Sequence, residues 1–191
     1  MEMVFWLFHR LKSRVKFLWL MELRDYIRIQ EDFPKPGISF KDVSPLLENP
    51  AAFRFAIDQM KEIAEKWNPD IIVGPESRGF LFGAPLALAM GKGFLMARKA
   101  GKLPGKALSV TYDLEYGHAT IEIPAFAVSK GTRVLIVDDL LATGGTLQAL
   151  ERLFHDAGAE VVGNIALIEL TSLKGRDHLK APFEALIKYP R

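Results

Sequence analysis

The sequence predicts an α/β fold, with a central and mainly parallel sheet flanked by helices, on three observations. Short, largely apolar runs at 70–74 and 133–137 have the composition of strands buried on both faces. Stretches of helical period at 51–67, 79–90 and 146–157 alternate with them. That alternation implies parallel strands whose connecting helices cover the sheet, and such sheets bind ligands at the carboxyl ends of their strands.

Taken in order, residues 32–50 are rich in Pro and Gly (Pro34, Pro36, Gly37, Pro45, Pro50) and read as a structured loop. Asn49 followed by Pro50 is a helix start: an N-cap, then proline at the first helical position. In the helix that follows, Phe53, Ala56, Ile57, Met60, Ile63, Ala64 and Trp67 share one face. The run at 70–74 is a strand, 79–90 a helix closed by Gly91, and 94–97 a strand. Gly101, Pro104 and Gly105 break the pattern over 98–105. Strands are predicted at 107–112 and 120–123, flanking a Gly117-His118 turn, and at 133–137. Leu147, Leu150, Leu153, Phe154 and Ala157 face inward along 146–157, with Gly158 at the C′ position. Strands at 160–169 and 185–189 complete the order.

At 191 residues and 49% hydrophobic content, the chain suits one domain with a substantial core. It contains no cysteine, which excludes disulfide and thiolate chemistry and fits a reducing compartment. The sequence pI of about 8.8 misleads. Arg10, Lys12, Arg14 and Lys16 against Glu2 give residues 1–20 a charge of +3, so the chain's +2 leaves −1 for the remainder. That balance gives no argument for nucleic-acid binding. Residues 1–20 alternate aromatic and apolar with basic residues, and their longest uncharged apolar run, Met3 to Phe8, is too short to span a membrane. The stretch reads as a leader before a start at Met21, with a surface-lying amphipathic helix or a transit peptide as alternatives. The domain proper is expected over 21–191.

The chemistry concentrates where the strand at 133–137 ends. The strand is expected to stop at Asp138-Asp139, leaving two adjacent acids where ligands bind. Buried without a partner they are costly, and a ribose diol is a natural partner because each carboxylate accepts a hydroxyl proton. Ala142-Thr143-Gly144-Gly145-Thr146 follows, opening a helix. Its glycines allow positive φ and close approach, so that several amides and the helix N-terminus converge on one anion. There is no lysine after the glycines, unlike the Walker A pattern, which favours a monophosphate over a nucleoside triphosphate. A lone Gly-Gly-Thr would be an ordinary turn; strand, two acids and glycine loop in succession point to a sugar phosphate.

The run Val137-Asp138-Asp139-Leu140-Leu141-Ala142-Thr143-Gly144-Gly145-Thr146 resembles the phosphoribosyl-pyrophosphate motif of the type I phosphoribosyltransferases, in its adenine-specific form. Stretches 32–42, 76–83, 98–105, 114–117 and 169–176 share the resemblance, which runs from about Met21 to the C-terminus. It implies the family's sheet with a small N-terminal hood segment, and transfer of a 5-phosphoribosyl group from phosphoribosyl pyrophosphate to adenine, giving AMP and pyrophosphate in purine salvage. It further implies a cytoplasmic homodimer and Mg²⁺ carried mainly by substrate oxygens, with no metal site built from the protein. No nucleic acid and no membrane span enter.

Residue by residue, the resemblance assigns the ribose hydroxyls to Asp138 and Asp139, which can also stabilise an oxocarbenium-like transition state. Ala142, Thr143, Gly144, Gly145 and Thr146 are assigned to the 5-phosphate, and Ser77, Arg78, Arg98, Lys99, Lys102 and Tyr116 to pyrophosphate, for which arginine forks are suited. Glu115 is the candidate acid/base in a closing loop, with an ordinary strand-end glutamate as the alternative. Phe40, with Ser39 and Lys41, is assigned to adenine and Leu140 to its other face; Phe40 as anchor of a Pro-rich loop is the alternative. Lys41 stands where relatives often carry Arg, and Glu76 where they often carry Asp. Another purine base, or a non-catalytic sensor of phosphoribosyl pyrophosphate, are the competing functions. A DNA-binding sensor needs a further domain, for which residues 1–20 are too few.

Overall fold

A computed structural model describes residues 21–113 and 118–190 of the chain. The chain forms two compact units, one ending at Ala56 and the other beginning at Ile57.

In the first unit a short 3-10 turn, Leu23–Tyr26, leads into strands β1 (Arg28–Gln30) and β2 (Phe40–Asp42), an antiparallel pair. Helix α1 (Ser44–Glu48) follows. Asp42 starts that helix by accepting from the Ser44 amide at 2.9 Å and its hydroxyl at 2.6 Å. With Arg28 also paired to it, Asp42 is held down to about pKa 2. The loop expected over 32–50 therefore contains a strand and a helix, both too short to show a period. The predicted N-cap is present: Asn49 Oδ1 accepts from the amides of Ala51 and Ala52, both at 3.0 Å, at the start of α2 (Pro50–Glu65). The boundary between the units falls inside α2.

The second unit is built on a seven-stranded sheet ordered β5-β6-β4-β3-β7-β8-β9. Its strands are β3 (Ile71–Pro75), β4 (Gly93–Lys99), β5 (Ala107–Asp113), β6 (His118–Pro124), β7 (Arg133–Leu141), β8 (Glu160–Leu170) and β9 (Phe183–Tyr189). The five strands from β4 to β9 in this order are parallel, and the β5–β6 hairpin adds to β4 antiparallel. Helices α3 (Gly79–Met90) and α4 (Gly145–Asp156) are the crossovers. Leu147, Leu150, Leu153 and Phe154 of α4 bury their side chains with Val134 and Ile136 of β7, as the helical period predicts. Among the described residues no helix is long and apolar enough to cross a membrane.

Two boundaries differ from the sequence expectation. Helix α2 ends at Glu65, so Trp67 lies in the following turn. Strand β7 runs through Asp138 and Asp139 to Leu141, because β8 continues to pair with it at Leu140↔Ile168 and Leu141↔Glu169.

Trp67 owes its place to Gly163 on β8. A Cβ at Gly163 would lie 2.2 Å from the indole Cε3. Gly163→Ala must expel the ring or bend the strand. Overpacking of this kind costs about 1–3 kcal/mol, so thermal denaturation should show a melting temperature several degrees below that of the parent; an unchanged value would contradict this contact.

Candidate functional site

The site forms where β7 outruns β3. Their pairing stops at Val73↔Ile136, and β3 ends at Pro75. The chain then turns through Glu76, Ser77 and Arg78 into α3. Asp138, Asp139 and Leu140 of β7 are thus left beside the opening, at the carboxyl edge of the sheet as expected. The cleft measures about 240 Å³. Its wall also includes Ser77, Arg78, Lys99, Tyr112, Thr120 and Thr146.

Asp139 is only 4% exposed, and its Oδ2 lies 2.9 Å from Arg78 Nε. Asp138 is half-buried and accepts the Asp139 amide at 2.8 Å. Burial, and then the neighbouring Asp139 charge, push the Asp138 carboxyl well above the usual carboxylate value. Burial also raises Asp139, against the opposing pull of Arg78. This cleft therefore holds two acids that resist being charged together, a condition that favours hydrogen-bond donors or cations from a ligand.

Glu76 organises the basic side. Its carboxylate accepts from Lys102 Nζ at 2.7 Å, Arg98 Nε at 3.3 Å and the Lys99 amide at 3.1 Å. These donors, Lys102 first, hold Glu76 down to about pKa 2. Of the residues assigned to pyrophosphate, Ser77, Arg78 and Lys99 line the cleft, while Arg98 and Lys102 reach it through Glu76. Tyr116 and Glu115 lie outside the described residues.

The loop assigned to the 5-phosphate departs from expectation in one detail. Gly144 has φ 88°, whereas Gly145 is already the first residue of α4. The close approach that Gly144 permits within the fold is to backbone: a Cβ there would lie 2.6 Å from the Gly175 carbonyl oxygen. The Gly144 carbonyl accepts the Gln148 amide, so the amides between them begin the helix without intrahelical acceptors. Thr146 reaches the cleft, its Oγ1 3.3 Å from Tyr112 Oη. Thr143 is exposed and Ala142 half-buried.

Ser39, Phe40 and Lys41 belong to the first unit. There Phe40 meets Phe33 edge-on at 5.2 Å. Lys41 is buried and donates to the Ser39 carbonyl at 3.0 Å and hydroxyl at 2.7 Å. Burial lowers its pKa, with Glu31 opposing.

Tyr112 and Thr120 are cleft residues the sequence reading missed. They come from the paired strands β5 and β6, where the hairpin brings this end of both strands to the cleft. The one available signal was that the two strands predicted on either side of the Gly117-His118 turn end at Tyr112 and begin at Thr120.

A family model described as "Phosphoribosyl transferase domain" matches residues 42–184. The chain belongs to the phosphoribosyltransferase family. An adenine phosphoribosyltransferase of Acidiphilium cryptum is 53% identical over 169 residues, 88% of this chain and 99% of that protein. The solved adenine phosphoribosyltransferase of Thermoanaerobacter pseudethanolicus superposes with a TM-score of 0.85 at 48% identity, covering 87% of this chain and 98% of that one. That of Saccharomyces cerevisiae, complexed with D-2,5-dideoxy-2,5-imino-altritol 1,6-bisphosphate and adenine, gives 0.83 at 43% identity, covering 86% and 96%. The type I phosphoribosyltransferase fold expected from the motif is thus the fold of the chain.

Because the folded pKa of Asp138 is raised, the native state holds that proton more tightly than the unfolded chain does. Stability is then full below the ordinary carboxylate value of about 3.9 and falls as pH rises through the raised folded value. Asp138→Asn should raise the melting temperature at pH 7, by roughly 2–4 °C per kcal/mol regained. The gap to the parent should narrow toward pH 4. A lower melting temperature for the variant at pH 7 would contradict the assignment.

Proposed function

We propose that this chain transfers the 5-phosphoribosyl group of phosphoribosyl pyrophosphate to adenine, releasing pyrophosphate and forming AMP. The observation that carries this reading is the acid pair Asp138-Asp139 in a cleft that also holds Arg78, Lys99 and the first turn of α4, in a chain 53% identical to a named adenine phosphoribosyltransferase over 99% of its length. A yeast relative that binds adenine together with a bisphosphate supports the choice of base.

In the reaction the C1′–N9 bond forms and the C1′–O bond to pyrophosphate breaks, its electron pair leaving with the oxygen. The N9 proton must pass to a base, for which Glu115 is the candidate. Asp138 and Asp139 accept the ribose hydroxyls and sit against the positive charge that builds on the ring. The residues of 142–146 hold the 5-phosphate, and Arg78, Lys99, Arg98 and Lys102 counter the leaving group. The adenine roles of Ser39, Phe40, Lys41 and Leu140 rest on the family resemblance. The carboxylate oxygens of the acid pair and the oxygens of the substrate are the hard donors that Mg²⁺ prefers, and the substrate would carry the ion mainly. Bound with the substrate, it neutralises pyrophosphate charge. Resemblance is also the ground for the homodimer, the cytoplasmic location and a catalytic domain over 21–191.

Two experiments test the reading. Purified protein with Mg²⁺ and phosphoribosyl pyrophosphate is given adenine, hypoxanthine, guanine or xanthine in turn, and mononucleotide and pyrophosphate are measured. AMP from adenine alone is expected, with kcat/KM lowered about a hundredfold or more in the Asp138→Asn, Asp139→Asn double variant. Product from an oxopurine overturns the base, and binding without turnover makes the chain a sensor. Deleting residues 1–20 should leave kcat/KM within about twofold, the margin of an uninvolved segment; a larger loss would assign those residues to the enzyme.

A further inference from the structure

The loop 142–144 is supported from behind by a turn that the reaction itself does not need. A Cβ added at Gly175 would lie 2.2 Å from the Ala142 carbonyl oxygen and 3.0 Å from the Gly144 amide nitrogen. A Cβ at Gly144 would in turn meet the Gly175 carbonyl oxygen at 2.6 Å. The two glycines let backbone rest directly on backbone, so the position of the loop is set by that of Gly175.

Gly175 opens a 3-10 turn, Gly175–His178, whose next residue is Arg176. The Arg176 guanidinium forks onto Glu169: Nε donates to Oε1 and Nη2 to Oε2, both at 2.6 Å. Glu169 is 3% exposed and lies on β8, paired in register with Leu141, the last residue of β7 before the loop. The Arg176 guanidinium also stands 5.3 Å over the Phe183 ring of β9. A carboxylate this buried is costly without a partner, and a bidentate arginine restricts geometry more than any single hydrogen bond. The pair anchors the turn to the same strand that fixes the end of β7.

We propose that Glu169 and Arg176 are positioning residues for the 5-phosphate: through Gly175 they hold the carbonyls and amides of 142–144 where the anion is received. The inference rests on the reading of 142–146 as the phosphate loop. Neither side chain lines the cleft, so their effect reaches the substrate through the backbone.

Ribose 5-phosphate and pyrophosphate separate the two halves of the site. Binding of each, with Mg²⁺, is measured calorimetrically for the full-length parent and for Arg176→Lys, Arg176→Met and Gly175→Ala, alongside melting temperatures. Ribose 5-phosphate affinity should fall roughly tenfold to a hundredfold in Arg176→Met and Gly175→Ala, the scale of displacements of about 1 Å. Arg176→Lys, which keeps the charge and loses the fork, should fall between. Pyrophosphate affinity should stay within twofold. Equal weakening of both ligands, no weakening of either, or failure of all three variants to fold makes the pair an element of the fold alone and overturns the proposal. A parent that does not bind ribose 5-phosphate instead removes the reading of the loop, and this inference with it.

Discussion

Two carboxylates on consecutive residues of a buried strand set the terms for everything around them. Asp138 and Asp139 follow four fully buried apolar residues, Val134 to Val137. Consecutive residues of a strand point to opposite faces, so one acid of the pair is directed toward the protein unless the strand meets an edge. The fold supplies the edge by ending β3 at Pro75 while β8 carries β7 on to Leu141. Asp139 is compensated by Arg78 at 2.9 Å, and Asp138 by the opening itself and one backbone amide. The residual cost, visible in the raised pKa of both, is a demand for a ligand that donates hydrogen bonds.

The basic side obeys the complementary rule. Lysines and arginines gathered on one side of a cleft repel one another unless an acid stands between them. Glu76 relieves this by accepting from Arg98, Lys102 and the Lys99 amide together. Its low pKa keeps it charged across the neutral range, so the cations retain a fixed partner. The glutamate side chain is long enough to make all of these contacts from one carboxylate.

What was legible in the sequence follows from what is local. The helix start at Asn49-Pro50 depends on a side chain and amides two and three residues away, so it was readable. The order of strands and helices in the second unit followed from periodicity, since each element buries one apolar face. The acid pair and glycine loop were readable because strand, loop and helix are contiguous. The end of β7 was misjudged because it is decided by a strand more than twenty residues later. Tyr112 and Thr120 were missed for the same reason: the long-range placement of the β5–β6 hairpin, not local composition, brings them to the cleft. The short elements β2 and α1 were hidden in a Pro-rich stretch whose turns dominate its composition.

The same distinction explains the second role found for glycine at 144. Sequence logic assigned its missing side chain to a ligand, and positive φ is indeed required there. The tightest approach is nonetheless to Gly175, thirty-one residues away, a contact no local pattern encodes. Helix α4 is tied down at its middle as well: buried Glu151 accepts from Asn164 Nδ2 at 2.7 Å and from the amides of Lys180 and Ala181 at 2.8 and 3.0 Å. A helix whose first turn receives an anion gains from such ties, because amides held in place beforehand need not be ordered when the anion arrives. Buried polar groups at Glu151 and Glu169, costly as isolated charges, are therefore best understood as the fixed points from which the loop at 142–146 is suspended.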